Sequence, residues 1–174
     1  MALTKVIGDG VGTLASATIT SATISNQLTD ANMSAGSVIQ IVQAITTAEV
    51  STSSTNFSDT GLTASITPSS TSSKIFILYS LHQFITVAAK ASKLKLLRGS
   101  TDLLDTGYGL YNGGDGSGIM GLSTHHFLDT PSTTSATTYK VQFNSVDNST
   151  NVLCQYDDSA GDGNSFMTLM EIAG

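Results

Sequence analysis

The order of apolar and polar residues predicts β-strands from residue 37 onward. The segment 37–43 is rich in β-branched side chains, and the segment 139–144 alternates so that Tyr139, Val141 and Phe143 share one face. About eight such segments are separated by polar or glycine-containing turns. They are 37–43, 62–67, 74–81, 94–98, 119–127, 139–144, 152–156 and 165–172. Many short strands with frequent turns are typical of a sandwich, so we expect an all-β, jelly-roll-like antiparallel β-sandwich.

Two predicted strands are apolar on both faces. The longest apolar run is 75–79, and 165–172 carries Met167 and Leu169 on one face and Phe166, Thr168, Met170 and Ile172 on the other. A strand of this kind is normally covered on both sides. We therefore expect a cover beyond the opposite sheet. No helix is expected, because the best candidate, 86–97, lacks a broad apolar stripe.

The first 36 residues differ from the rest of the chain. They contain no aromatic residue and hold an internal repeat in which Leu14, Ile19 and Ile24 recur every five residues. That spacing fits neither a helix nor a flat strand, and so few aliphatic side chains bury too little area to offset chain entropy. The prediction is an extended N-terminal anchoring arm, 1–36, before a β-sandwich domain, 37–174. It would gain order from the domain, from copies of itself or from a partner; the alternative is a flexible Ser/Thr/Ala linker.

Charge and composition remove several classes of function. The formal net charge is −6, only 11% of residues are charged, and Ser and Thr together make 50 residues. The seven Lys and Arg residues form no basic stripe, so binding to nucleic acid or to anionic lipid is not expected. No segment approaches the roughly 20 apolar residues of a spanning helix, and the N-terminus does not resemble a secretory signal. We therefore expect that the chain is made in a cytoplasm and does not insert into a membrane.

The densest glycine cluster, 112–118, has the sequence NGGDGSG. A phosphate-binding loop would need a following helix and, in its Walker form, a Lys. Neither is present in the sequence pattern, so an exposed surface loop is expected. Its polar and glycine positions are candidates for contact with a partner: Asn112, Gly114, Asp115 and Ser117.

A second polar loop, 157–164, groups three carboxylates with glycines. Calcium prefers oxygen ligands, which makes Asp157, Asp158 and Asp162 weak candidates for a metal site. The order does not match an EF-hand loop, and glycoside cleavage would need two carboxyl groups held across a groove. A solvated hairpin loop is the favoured interpretation, and Asp158, Asp162 and Asn164 join the candidate contact residues.

No catalytic site and no cofactor are predicted. His125 and His126 are adjacent on a predicted strand, so they point to opposite faces and cannot chelate one ion; a trimer could still bring one histidine per chain to an axis. Cys154, the single cysteine, can form no intrachain disulfide and is interpreted as a small buried hydrophobe.

Five strings, in order, resemble the virion structural and tail-fibre-like proteins of tailed bacteriophages, especially those of aquatic bacteria. They are 35–43 (AGSVIQIVQ), 59–75 (DTGLTASITPSSTSSKI), 97–101 (LRGST), 127–142 (FLDTPSTTSATTYKVQ) and 169–174 (LMEIAG). The opening MALTKVIG is similar to N-termini of that group. The resemblance spans about 35–174.

The resemblance implies a non-enzymatic phage virion structural protein, assembled in the host cytoplasm. We expect a trimeric tail-fibre-like module whose partners are two further copies of itself, other virion proteins and, as a further candidate, a host surface glycan. The alternative is a capsid decoration or head-fibre protein held to the major capsid lattice by its arm. A glycan-binding or glycan-degrading tailspike module is a third, weaker reading.

Overall fold

A computed structural model describes residues 33–114, 117–157 and 163–174. These residues form ten β-strands, and no helix occurs among them. The strands are β1 (Val38–Thr46), β2 (Val50–Thr52), β3 (Ser58–Ile66), β4 (Lys74–Ile85), β5 (Lys90–Arg98), β6 (Thr101–Asn112), β7 (Ile119–Asp129), β8 (Thr137–Ser145), β9 (Val152–Cys154) and β10 (Ser165–Ile172).

The strands form two antiparallel sheets that pack face to face. In the first sheet the order is β1-β10-β4-β7, and the short pair β9-β2 continues beside β4 beyond the end of β10. The second sheet has the order β3-β8-β5-β6. Apart from the consecutive pair β5 and β6, which share the second sheet, the eight long strands alternate between the sheets in the pattern of a jelly roll. The predicted fold class is confirmed.

Alternating side chains of both sheets build the core. In β4, Ile75, Ile77, Tyr79, Leu81 and Ile85 are buried and point toward the second sheet. Buried residues from three strands of the second sheet pack against them: Leu62, Ala64, Ile66, Leu94, Leu96, Tyr139, Val141 and Phe143. Tyr139, Val141 and Phe143 lie on one face, as their spacing predicts.

A polar contact joins the sheets at the end of β7. Arg98 of the second sheet donates to both carboxylate oxygens of Asp129 of the first sheet, at 2.9 and 2.8 Å, and the Tyr139 hydroxyl donates to Asp129 Oδ2 at 2.7 Å. Burial and the Asp129 carboxylate together raise the pKa of Tyr139, which keeps the phenol in its donor form.

A second polar contact crosses the sandwich near its other end. The Gln83 amide donates to Ser123 and accepts from Ser92, each at 2.6 Å. Ser123 in turn donates to the Gly109 carbonyl at 2.6 Å. All three side chains are buried, so each hydrogen bond satisfies a group that has lost water.

Two strands differ from the sequence prediction. β6 follows the Gly99–Ser100 turn and was not predicted, and β2 lies inside a stretch that looked like a polar turn. β6 is an edge strand with several register shifts against β5. Its inward and outward positions therefore do not alternate regularly, and the period-two signal is lost.

Candidate interaction surface: two unlike faces and two unlike ends

The outer face of the first sheet is apolar and exposed. The residues that alternate with the buried ones, and that lie opposite one another across β1, β10, β4 and β7, share this face. We call them the apolar face: Ile41, Gln43, Ile45, Phe166, Thr168, Met170, Phe76, Leu78, Ser80, His82, Phe84, Met120, Leu122, Thr124, His126 and Leu128. Ile41 is 61% exposed and Leu122 is 63% exposed. None of these positions is Asp, Glu, Lys or Arg, but Lys74, which pairs with Ile172, lies on the same outer face at the start of β4.

The outer face of the second sheet is charged. Asp59 of β3 accepts hydrogen bonds from Lys140 and Gln142 of β8, and these bonds hold the pKa of Asp59 below its usual value. Lys95 of β5 pairs with Asp102 and lies 4.7 Å from the centroid of the Phe57 ring. Exposed ion pairs add little stability, but they mark this face as one that water covers.

A shallow cavity of about 130 Å³ lies beside the Asp59–Lys140 pair. It is lined by Asp59, Gly61, Leu62, Thr63 and Lys140. Small-molecule sites usually enclose roughly 300–1,000 Å³, so this cavity does not have the size of a substrate pocket.

The two ends of the sandwich also differ. At one end, which we call the arm end, Gly36 donates to the Ala173 carbonyl and Ala173 donates to the Ser37 carbonyl, both at 2.8 Å. This hydrogen-bonded pair lies beside Lys74, where β4 begins. At the other end, which we call the loop end, β4 finishes at Ile85 opposite Ile119. The twelve residues of β4 separate the ends by about 36 Å at about 3.3 Å per residue.

Described residues beside both loops that are predicted to contact a partner lie against Phe84, toward the loop end. A Cβ on Gly118, in the first loop, would fall 2.3 Å from the Phe84 ring. Tyr156, which opens the second loop, stacks on the same ring at 4.5 Å between centroids. The structure thus brings together two loops that are about 40 residues apart in the chain. The contact between Phe84 and Tyr156 could not be predicted, because no sequence motif links two residues so far apart in the chain.

The individual loop residues have different environments. Gly114 and Ser117 are exposed, and Asn164 is half-buried. Asn112 was predicted to contact a partner, but its side chain is buried. It is 1% exposed, and its amide donates to the Ser117 carbonyl at 2.8 Å. Its side chain holds the loop from inside and does not face a partner. Asp115, Asp158 and Asp162 lie outside the described residues, as do the arm residues Leu14, Ile19 and Ile24.

The histidines follow the strand alternation. His125 points inward beside Tyr79, with ring centroids 5.6 Å apart, whereas His126 lies on the apolar face beside Phe76. Burial, and to a smaller extent His126, lowers the pKa of His125. His126 sits on the edge strand β7, away from the middle of the face, which does not favour three copies meeting at an axis.

The remaining chemical candidates do not form a site in the described part of the chain. Cys154 is fully buried, and burial raises the pKa of its thiol, so the thiol is an inert core group. No group of three or more His, Cys, Asp or Glu that could hold a metal occurs among the described residues. The calcium hypothesis for Asp157, Asp158 and Asp162 is untested, because only Asp157 is described.

Comparison with known proteins gives no family. No protein-family model matches the chain, and no curated protein matches it. Solved structures of infectious bursal disease virus proteins are similar: the VP2 subviral particle (TM-score 0.41, 11% identity), the virus-derived T=1 particle (0.43, 9%) and the Gx strain (0.42, 10%). The matches cover 77% of this chain but only 36–37% of those chains. At such scores they carry no conclusion about function.

The described residues also contain no helix that is long and apolar enough to cross a membrane.

Proposed function

We propose that this chain is a non-enzymatic structural protein of a phage virion, a tail-fibre-like module that is anchored at its arm end and meets the host surface with its loop end. The observation that carries the proposal is the polarity of the sandwich. The chain enters the sandwich at one end, where Gly36 pairs with Ala173, and the described residues beside both glycine-rich loops lie toward the other end. The ordered strings that resemble virion structural proteins of tailed phages support the same role.

The polarity suits a module that projects from a particle. A protein attached through a terminal segment presents the opposite end to solvent, and loops on a rigid scaffold are where binding residues concentrate. In the first loop, Asn112 fixes the base from inside while Gly114 and Ser117 remain exposed. The loop therefore combines a fixed base with exposed positions that tolerate variation.

The surroundings of the reactive groups support a binding role rather than a chemical one. His125 and His126 point to opposite sides of a strand, and the Cys154 thiol is buried. Neither arrangement places a nucleophile beside a base, which covalent catalysis requires.

The test of host contact is a loop exchange in virions that carry the chain. Residues 113–118 and 157–162 are replaced by Gly-Ser linkers of equal length, which leaves Asn112 and the strands intact. We expect adsorption to host cells to fall at least tenfold. A matched control replaces 132–135, in the β7–β8 turn at the arm end, and leaves adsorption unchanged. If the loop variant enters virions normally and adsorbs like the parent, the host-contact role is wrong.

The position on the particle is tested separately by cryo-electron microscopy of purified virions. Density at a tail or tail-fibre position supports the proposal. Density repeated over the capsid lattice supports the alternative, a decoration or head-fibre protein with its arm on the major capsid protein. Absence of the chain from purified virions overturns both.

A further inference from the structure

We propose that Asn112–Gly113 is a site of spontaneous deamidation that the fold keeps unreactive, and that conversion of Asn112 to aspartate opens the base of the first loop. This modification needs no enzyme and goes beyond the proposed host contact. The inference rests on the hydrogen bonds and the burial of described residues, and it holds whether or not the loop meets a partner.

Asparagine followed by glycine is the pair most prone to this reaction, and it occurs once in the chain. Because glycine has no Cβ, its backbone nitrogen can approach the preceding side chain. The Gly113 nitrogen bonds to Asn112 Cγ, the bond from Cγ to Nδ2 breaks, and ammonia leaves with the proton that the Gly113 nitrogen gives up. Water then opens the cyclic imide, which leaves aspartate or isoaspartate at position 112.

In the folded chain, three hydrogen bonds hold the Asn112 side chain. Its amide nitrogen donates to the carbonyls of Ser117 and Ile85, at 2.8 and 3.4 Å, and its Oδ1 accepts from the Gly114 N–H at 3.1 Å. Asn112 is the last residue of β6 and is 1% exposed. Cyclisation requires the side chain to turn toward the Gly113 nitrogen and water to reach the ring, so the base of the loop must open first.

A carboxylate at this position reverses the chemistry of the contact. It has no hydrogen to donate, so it would face the two carbonyl oxygens with acceptors of its own, and the Gly114 N–H would be its remaining donor. The lysine opposite Asn112 on β5, Lys90, is already paired with Asp147. Because burial of a charge with so few partners is costly, the closed base does not accommodate the product and the loop opens.

The first test measures deamidation of the purified full-length chain at pH 8 and 37 °C, both folded and in guanidinium chloride. Peptide mapping by mass spectrometry detects the replacement of an amide by a carboxyl group. Conversion at Asn112 should be at least tenfold slower in the folded chain. Asn148, which is exposed and is followed by Ser149, is the internal control and should be protected less.

A variant then tests the route of the reaction. Gly113→Ala should slow conversion of Asn112 in guanidinium chloride, because the added Cβ hinders the attacking nitrogen. The fold should tolerate this variant, since the Cβ would lie 3.0 Å from the ring of Tyr111, a side chain that is exposed and can move. Conversion as fast as in the parent would exclude attack by the Gly113 nitrogen and overturn the proposal.

Asn112→Asp reproduces one product of the reaction and tests the opening of the loop. Amide hydrogen exchange in the segment 112–118 should become at least tenfold faster, while exchange in β4 stays that of the parent. Asn148→Asp is the matched control, because a carboxylate there keeps the acceptor that the Thr55 N–H uses, and it should leave exchange unchanged.

The parent chain, deamidated in guanidinium chloride and then refolded, should show the same faster exchange, which provides a second measurement if Asn112→Asp does not fold. Equal rates of conversion at Asn112 in the folded and the unfolded chain would overturn the proposed protection. Exchange like that of the parent in the deamidated or substituted chain would overturn the opening of the loop.

Discussion

Glu171 shows how one buried carboxylate is held without a cation. It is fully buried, and its oxygens accept hydrogen bonds from the Ser73 hydroxyl, the Gln40 amide and both the backbone and hydroxyl of Ser69. Burial alone would raise the pKa of Glu171, but these donors outweigh it and hold the pKa below its usual value. The single side chain thereby ties β10 to β1 and to the loop before β4.

This carboxylate makes the fold sensitive to acid. Because the pKa of Glu171 is lower in the folded chain than in the unfolded one, the unfolded state binds more protons as pH falls. Its contribution to the free energy of unfolding is complete above the ordinary value of 4.5 and is lost as pH falls through the lower folded value. Urea unfolding from pH 7 down to pH 3 should therefore show falling stability.

Glu171→Gln should flatten that pH dependence and lower stability at pH 7, since a donor amide would face donor groups. Glu49→Gln, at an exposed position, is the control and should change neither. If the free energy of unfolding of Glu171→Gln fell with pH as steeply as that of the parent, Glu171 would not be the source of the acid sensitivity.

Two strands of the first sheet, β4 and β10, were the easiest to predict, and β6 was the hardest. The segments 74–81 and 165–172 carry apolar residues on both faces, and both strands begin where they were predicted to begin. β6 instead contains Gly107 at φ +68° and Gly109 at a close approach to the core. A glycine at an inward position adds no apolar side chain to the alternating pattern, so the pattern does not reveal the strand. In the fold, Leu94 of the neighbouring strand β5 fills the space beside Gly109.

Gly109 offers a direct test of that packing. A Cβ there would fall 2.6 Å from Leu94 Cγ and 3.0 Å from Ser92 Oγ, and both side chains are fully buried. Gly109→Ala should lower the free energy of unfolding by about 1–3 kcal/mol, the usual cost of overpacking. Ser100→Ala, in the exposed turn between β5 and β6, is the control, and chemical denaturation is the measurement. Equal stability of the two variants would mean that β6 does not approach β5 this closely.

The two ends of the described sandwich differ, because the chain enters at Gly36 at one end and the residues beside both glycine-rich loops lie toward the other. Its two outer faces differ as well, one being apolar and the other charged. Its described core is built from residues between Leu62 and Ala173. A jelly roll serves many functions, so these two asymmetries, rather than the fold, support the proposed role.

Removal of residues 1–32 should separate folding from assembly. Because residues from 33 onward form both sheets and a buried core between them, the chain 33–174 should keep its β-type circular dichroism and unfold cooperatively. Its incorporation into virions should be lost if the first segment is the anchor. Normal incorporation of the shortened chain would contradict an anchoring arm, and loss of folding would contradict the domain boundary.

Alternation along the chain was sufficient by itself to predict the all-β class, most strands and the shared face of Tyr139, Val141 and Phe143, because strand side chains alternate whatever they pack against. The loops were found by their glycines and charges. Only the tertiary structure decided which of two apolar strand faces is buried, since both read alike in sequence. It also decided that Asn112 points inward and that Gly118 and Tyr156, which lie beside two loops distant in the chain, meet at Phe84. These facts depend on which strands become neighbours, and that is settled by contacts far apart in the chain.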